Sequence, residues 1–180
     1  LQAIFEFQPA VCRLLDMDTA NASLYDGGSA LFEAGMMAFR PTRRRKLVID
    51  ECINPVWRTI LATYTANQDC ELQVIPHKNG MSDKQALTAA VDKNCAAVLV
   101  QNPGFLGALD DFSELFAHAR TQGALSIMAV SPVMQSILKT PGEMGADIAV
   151  ADGQEMGLPL SFGGPYVGLM ACRKTLVRQM

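Results

Sequence analysis

The residues with most potential for chemistry lie at 145–166, which read Gly-Ala-Asp-Ile-Ala-Val-Ala-Asp-Gly-Gln-Glu-Met-Gly-Leu-Pro-Leu-Ser-Phe-Gly-Gly-Pro-Tyr. Residues 148–151 form a short apolar strand, 166–172 form another, and a loop rich in Gly and Pro joins them. Gly and Pro supply unusual backbone angles and fixed turns. In α/β proteins, loops at the carboxyl ends of strands are where sites are built. A lysine in such a loop could hold a carbonyl compound as a Schiff base. Here none lies between Lys139 and Lys174, and Gln154 and Glu155 occupy the middle of the stretch. Two further loops follow strands, Gln101-Asn102-Pro103-Gly104-Phe105 and Ser131-Pro132-Val133. Asn102-Pro103-Gly104 is equally ordinary turn chemistry.

Other chemistry-bearing residues are sparse. Asp26-Gly27-Gly28-Ser29 opens a helix and could offer free N–H groups and a hydroxyl to an anion, although a plain helix cap explains it better. Arg40, Arg43, Arg44, Arg45 and Lys46 form a basic run. It lacks the interleaved aromatics of a nucleic-acid surface and reads as cations solvated beyond a helix C-terminus. The five cysteines are scattered without a C-x-x-C pair, and the two histidines have no partner at ligand spacing, so no metal site is expected. Reduced, packed thiols in a cytoplasmic setting fit this odd count. A net charge of −3 exerts no general pull on nucleic acid or membrane, and no apolar run approaches the ~18 residues of a spanning helix.

The elements that must position these loops alternate along the chain. Ile4, Phe7, Val11, Leu14 and Leu15 place a helix over 2–16, with Pro9 expected to kink or restart it. Residues 17–25 read as a loop or short extended piece. A helix over 30–40 is stopped by Pro41. Strands at 47–50, 72–76, 96–101 and 125–130 then alternate with helices at 55–66, 82–91 and 110–122, followed by a short helix at 133–138. The strands are continuous apolar runs, as in a parallel sheet buried on both faces. The expected fold is a three-layer αβα domain of six or seven mostly parallel strands, with one domain spanning 1–180. The last strand follows too closely for a parallel crossover and is expected to run antiparallel. With no initiator methionine and an end inside an apparent helix, the chain reads as a piece of a longer protein.

Against this background the 145–166 stretch resembles the fold-type I pyridoxal-phosphate (PLP) enzymes, in which a strand leads to the lysine that holds the cofactor. More specifically, Asn21-Ala-Ser-Leu-Tyr-Asp-Gly-Gly-Ser-Ala30, Val100-Gln-Asn-Pro-Gly-Phe105, Pro141-Gly-Glu-Met-Gly-Ala-Asp147 and Gly157-Leu-Pro-Leu-Ser-Phe-Gly-Gly-Pro165 resemble the P-protein family of the glycine cleavage system, glycine dehydrogenase (decarboxylating). The motifs run in the family's order along essentially the whole chain. They match its N-terminal half, or subunit 1 where the enzyme is split. The resemblance implies a large-domain fragment of the PLP-dependent transferase fold. It also implies that the cofactor sits on the homologous subunit 2 or C-terminal half.

In cofactor-carrying members a His-Lys pair stands where this chain has Gln154 and Glu155. An Asp that keeps the pyridine nitrogen protonated stands near Ser131, which has no charge to do so. Glu155 also departs from the proline or small residue more usual there. The implied chemistry is glycine decarboxylation with aminomethyl transfer to lipoyl-H-protein, which this piece would support without performing. Asn21, Ser23, Tyr25, Asp26 and Asn102 are the candidates for facing a shared active site. An active PLP enzyme in its own right lacks the lysine, since Lys139 precedes the relevant strand and Lys174 follows the next. A dinucleotide-binding module lacks its glycines, since Glu51-Cys52-Ile53-Asn54-Pro55 follows the first strand of the alternating series. A structural interaction domain of the same fold with no catalytic role is the alternative.

Overall fold

The computed structural model describes residues 1–180. In chain order it contains α1 (Gln2–Leu15), β1 (Thr19–Ala20), α2 (Gly27–Thr42), β2 (Lys46–Asp50), α3 (Pro55–Thr65), β3 (Glu71–Ile75), α4 (Lys84–Ala90), β4 (Cys95–Asn102), α5 (Ser113–Thr121), β5 (Leu125–Val130), α6 (Pro141–Met144), β6 (Ile148–Asp152) and β7 (Gly168–Cys172). Short 3₁₀ turns cover Val133–Ser136, Gly153–Met156, Ser161–Gly163 and Lys174–Gln179. The strands form one sheet in the order β1-β7-β6-β5-β4-β2-β3, parallel from β3 to β6 and antiparallel at β6–β7 and β7–β1.

The unalternating apolar strands follow from burial on both faces. Val48, Val98, Val100, Met128, Ala149 and Ala151 point into one core with α1, α4 and α5. Leu47, Ile49, Leu99, Ile127, Ile148 and Val150 point into the other with α2 and α3. Each fully buried Leu or Ile is worth roughly 1.5–3 kcal/mol, so both layers contribute to stability. β3, the open edge, is the strand with least burial.

Several sequence expectations are corrected. Pro9 does not restart the helix, which runs unbroken through it from Gln2 to Leu15; it lies on the exposed face, where water can take the carbonyl its missing N–H leaves free. Pro41 does not stop α2, which runs to Thr42 and ends at a left-handed Arg43. Thr42 Oγ1 also donates to the Ala38 carbonyl at 2.7 Å in this last turn. α2 also begins at Gly27 rather than at residue 30, whereas residues 17–25 do include a short extended piece, β1. The basic run is only partly solvated. Arg44 donates to the Cys95 and Gln122 carbonyls at 2.9 Å each, Lys46 donates to the Ala90 carbonyl, and Arg45 lies 5.3 Å from the Phe39 ring centroid. No helix is long and apolar enough to cross a membrane.

Candidate functional site

The parallel strands all end at one edge of the sheet, with Asp50, Ile75, Asn102, Val130 and Asp152 as their last residues. β7 runs back from this edge: Gly168 lies opposite Asp152, and Cys172 lies opposite Ile148. Gly168 also exchanges two 2.8 Å backbone hydrogen bonds with Leu24, which brings residues 21–26 to the same edge. A Cβ at Gly168 would lie 2.4 Å from the Asp26 carbonyl oxygen, so only glycine lets the two segments approach.

Four of the five candidate site residues are gathered in the 21–26 segment. Asn21 Oδ1 accepts from the Ser23 N–H at 3.3 Å, and Ser23 takes a left-handed φ of 96°. Tyr25 is 86 % exposed. Asp26 caps α2, accepting from the Ser29 N–H at 2.6 Å. Asn102 is different: it is 3 % exposed and its Oδ1 accepts from the Asp110 N–H at 3.1 Å. Its side chain shapes the loop after β4 from within.

Two donors at the N-terminus of α2, the Gly27 and Ser29 N–H groups, are taken by side chains. Besides the Asp26 cap, Asp152 Oδ2 accepts from the Gly27 N–H at 3.1 Å, while its Oδ1 accepts from the Gln154 N–H at 2.9 Å. A Cβ at Gly27 would lie 2.2 Å from the Trp57 ring, and one at Gly28 would lie 2.6 Å from Ile60 Cδ1. The Gly27-Gly28 pair therefore makes room for side chains of α3. A cavity of about 260 Å³ remains beside Trp57, lined also by Asp26, Asn54, Asp152 and Tyr166. An anion entering it would meet two carboxylates, with the Gly27 and Ser29 N–H groups already used.

The second half of the site lies between β5 and β6. Ser131, just beyond β5, donates its hydroxyl to Glu155 Oε2. Gln135 Nε2 donates to the Ser131 carbonyl at 3.0 Å. The two positions where the resemblance led us to look for charged cofactor partners thus bond to one another. Neither lysine is placed to substitute. Lys139 Nζ is held by Asp111 and Ser113 at 3.0 and 2.8 Å. Lys174 follows β7 at the opposite edge of the sheet, where its backbone N–H bonds Asp18.

Burial pushes the Cys95 and Cys172 thiols up to about 11, so the reactive thiolate is scarce at neutral pH. No cluster of three or more His, Cys, Asp or Glu side chains could hold a metal. Sequence reasoning passed over Trp57 and Asp152 as the groups that close α2's N-terminus. Asn54-Pro55 is a visible helix start that fixes the place of Trp57 two residues on.

Comparison with known proteins agrees with this architecture. The family model "Glycine cleavage system P-protein" matches residues 1–180. The chain belongs to the glycine cleavage system P-protein family. The "probable glycine dehydrogenase (decarboxylating) subunit 1" of Nitratidesulfovibrio vulgaris strain Hildenborough is 69% identical over 180 residues, covering 100% of this chain and 41% of that protein. The protein of the same name from Geotalea uraniireducens strain Rf4 is 51% identical over the same span. The chain thus spans about two fifths of the length of these relatives. A crystal structure of glycine decarboxylase (P-protein) in inhibitor-bound form superposes with a TM-score of 0.93 at 40% identity, over 99% of this chain and 40% of that one. A Burkholderia pseudomallei sphingosine-1-phosphate lyase shares the fold, with a TM-score of 0.76 at 14% identity over 97% of this chain and 45% of that one. The P-protein family is PLP-dependent.

Proposed function

We propose that residues 1–180 are one domain of the subunit 1, or N-terminal half, of a cytoplasmic glycine dehydrogenase (decarboxylating), and that this domain carries no PLP. The observation that carries this reading is the mutual occupation of the would-be cofactor groups. Glu155 and Ser131 bond each other, Asp152 and Asp26 take the Gly27 and Ser29 N–H groups at the start of α2, and Trp57 fills the space above Gly27. PLP needs an amine at the 154–155 junction, a charge partner for its ring nitrogen and free donors for its phosphate. These residues do not fit it.

The cofactor in this reading is held by subunit 2 or the C-terminal half, with glycine as substrate and lipoyl-H-protein as acceptor of the aminomethyl group. The contribution of this chain is positional. Its 21–26 segment, supported by the loops after β4 and β6, forms one wall of a shared site. Asn21, Ser23 and Tyr25 offer polar groups there, while Asp26 and Asn102 hold the wall in shape. Such a wall orients substrate and excludes water, both of which raise rate without a reacting group of its own. Support comes from the relatives named as subunit 1 and from the gathering of these loops at one sheet edge.

The test is reconstitution. The full-length chain, its subunit 2 and lipoyl-H-protein are mixed, and glycine–bicarbonate exchange is followed. Exchange is expected only with both subunits present. Undiminished exchange by subunit 2 alone would remove this domain from the reaction and leave it a structural partner.

A further inference from the structure

The loop between β6 and β7 displays its apolar side chains outward. Phe162 is fully exposed, and Leu160, Met156 and Tyr166 are 75, 58 and 54 % exposed. Phe162 also takes a left-handed backbone conformation, φ 54° and ψ 35°. That region crowds the Cβ of any L residue and is normally left to glycine. Two glycines follow at once, so the chain has the conformationally free residue next door and still places a phenyl ring at the strained position.

The base of the loop is held firmly. The Gly153 N–H donates to the Val167 carbonyl at 2.7 Å, the Leu158 N–H to the Gln154 carbonyl at 3.1 Å, and the Gly163 N–H to the Leu160 carbonyl at 2.8 Å. A Cβ at Gly164 would lie 2.5 Å from Gln154 Nε2 and 2.6 Å from the Pro159 carbonyl oxygen, so the tip folds tightly on its own base. The ring is therefore presented on a fixed support.

We propose that Phe162 is an anchoring knob that enters an apolar pocket on the partner subunit beside the shared site. This rests on the reading that the carboxyl edge of the sheet meets that partner. Strained residues persist where the surrounding structure over-determines them, and they cluster at sites of function. A rigid aromatic at the centre of an interface is the usual form of a binding hot spot. The partner is favoured over the rest of this chain as the occupant because the loop rises from β6 beside Glu155, at the edge that also carries the exposed Tyr25. Knob and proposed site wall thus lie at the same end of the sheet.

The test uses the full-length chain and its subunit 2. Phe162→Gly removes the ring and relieves the left-handed strain; Phe162→Tyr keeps the ring. Dissociation constants are measured by calorimetry and Tm by thermal unfolding of the free chain, with glycine–bicarbonate exchange of the wild-type pair as reference. Expected is Kd weakened about thirty-fold or more in Phe162→Gly, the size of an aromatic hot spot, with an unchanged or higher Tm. Phe162→Tyr stays within a few-fold of wild type. A wild-type Kd in Phe162→Gly, beside an active wild-type pair, overturns the knob alone. A lowered Tm with Phe162→Gly shows the ring packed within its own chain and also overturns it. Wild-type subunits that neither associate nor exchange remove the underlying reading as well.

Discussion

Tyr25 and Asp26 are neighbours with different duties. Tyr25 is 86 % exposed, so Tyr25→Phe is expected to change stability by no more than about 0.5 kcal/mol. If its hydroxyl faces the shared site, exchange should fall by about ten-fold, the order of one lost hydrogen bond to a charged group. Unchanged exchange would return Tyr25 to the scaffold. Asp26 is a helix cap, so Asp26→Ala should cost about 1 kcal/mol whatever its role in the reaction. Asp26→Asn keeps the cap and is the informative variant: loss of exchange at wild-type Tm marks a site residue. Asp50 is fully buried at the end of β2, accepting from the Cys52 N–H at 3.0 Å and the Ser82 hydroxyl at 2.5 Å. Burial raises its pKa above the usual carboxylate value. A raised folded value means the stability it contributes is complete below the unfolded pKa and is lost as pH rises through the folded one. Asp50→Asn keeps an acceptor for Cys52 and can donate to Ser82. The Tm of the variant minus that of wild type should therefore increase from pH 4 to pH 7, and a flat difference would contradict the burial argument.

At the scale of elements, α2 concentrates the contacts on which the proposed reading rests. Its Gly27 and Ser29 N–H groups serve Asp152 and Asp26, and Trp57 packs onto Gly27. A methyl at Gly27 collides with that ring, so Gly27→Ala is expected to cost about 1–3 kcal/mol by overpacking, seen as a Tm lower by several degrees. A wild-type Tm would mean that the indole moves aside and that the cradle is not closed. The sequence carried part of this. Asp26-Gly27-Gly28-Ser29 was legible as a helix start because caps act locally. The Trp57 contact was not, because it joins two helices through tertiary packing. The prolines follow the same distinction: Pro9 and Pro41 break local rules, and the helices accommodate one on an exposed face and the other in a last turn.

For the whole molecule, the apolar strand runs made a doubly covered parallel sheet legible, and the short connection after β6 made the antiparallel β7 legible too. The edge strand β1 was legible only as a loop or short extended piece at 17–25, since two residues carry no periodicity. The missing lysine was visible in the sequence, whereas the bond between Ser131 and Glu155 that joins the two vacated positions was not. The central claim is that this domain stands beside the cofactor without holding it. Its most direct test is to assemble the full-length chain with subunit 2 and pyridoxal phosphate, reduce with borohydride, and map the labelled peptides by mass spectrometry. Stoichiometric pyridoxyl label is expected on a lysine of subunit 2 and none on Lys139 or Lys174. Stoichiometric label on any single lysine of this chain would contradict the account.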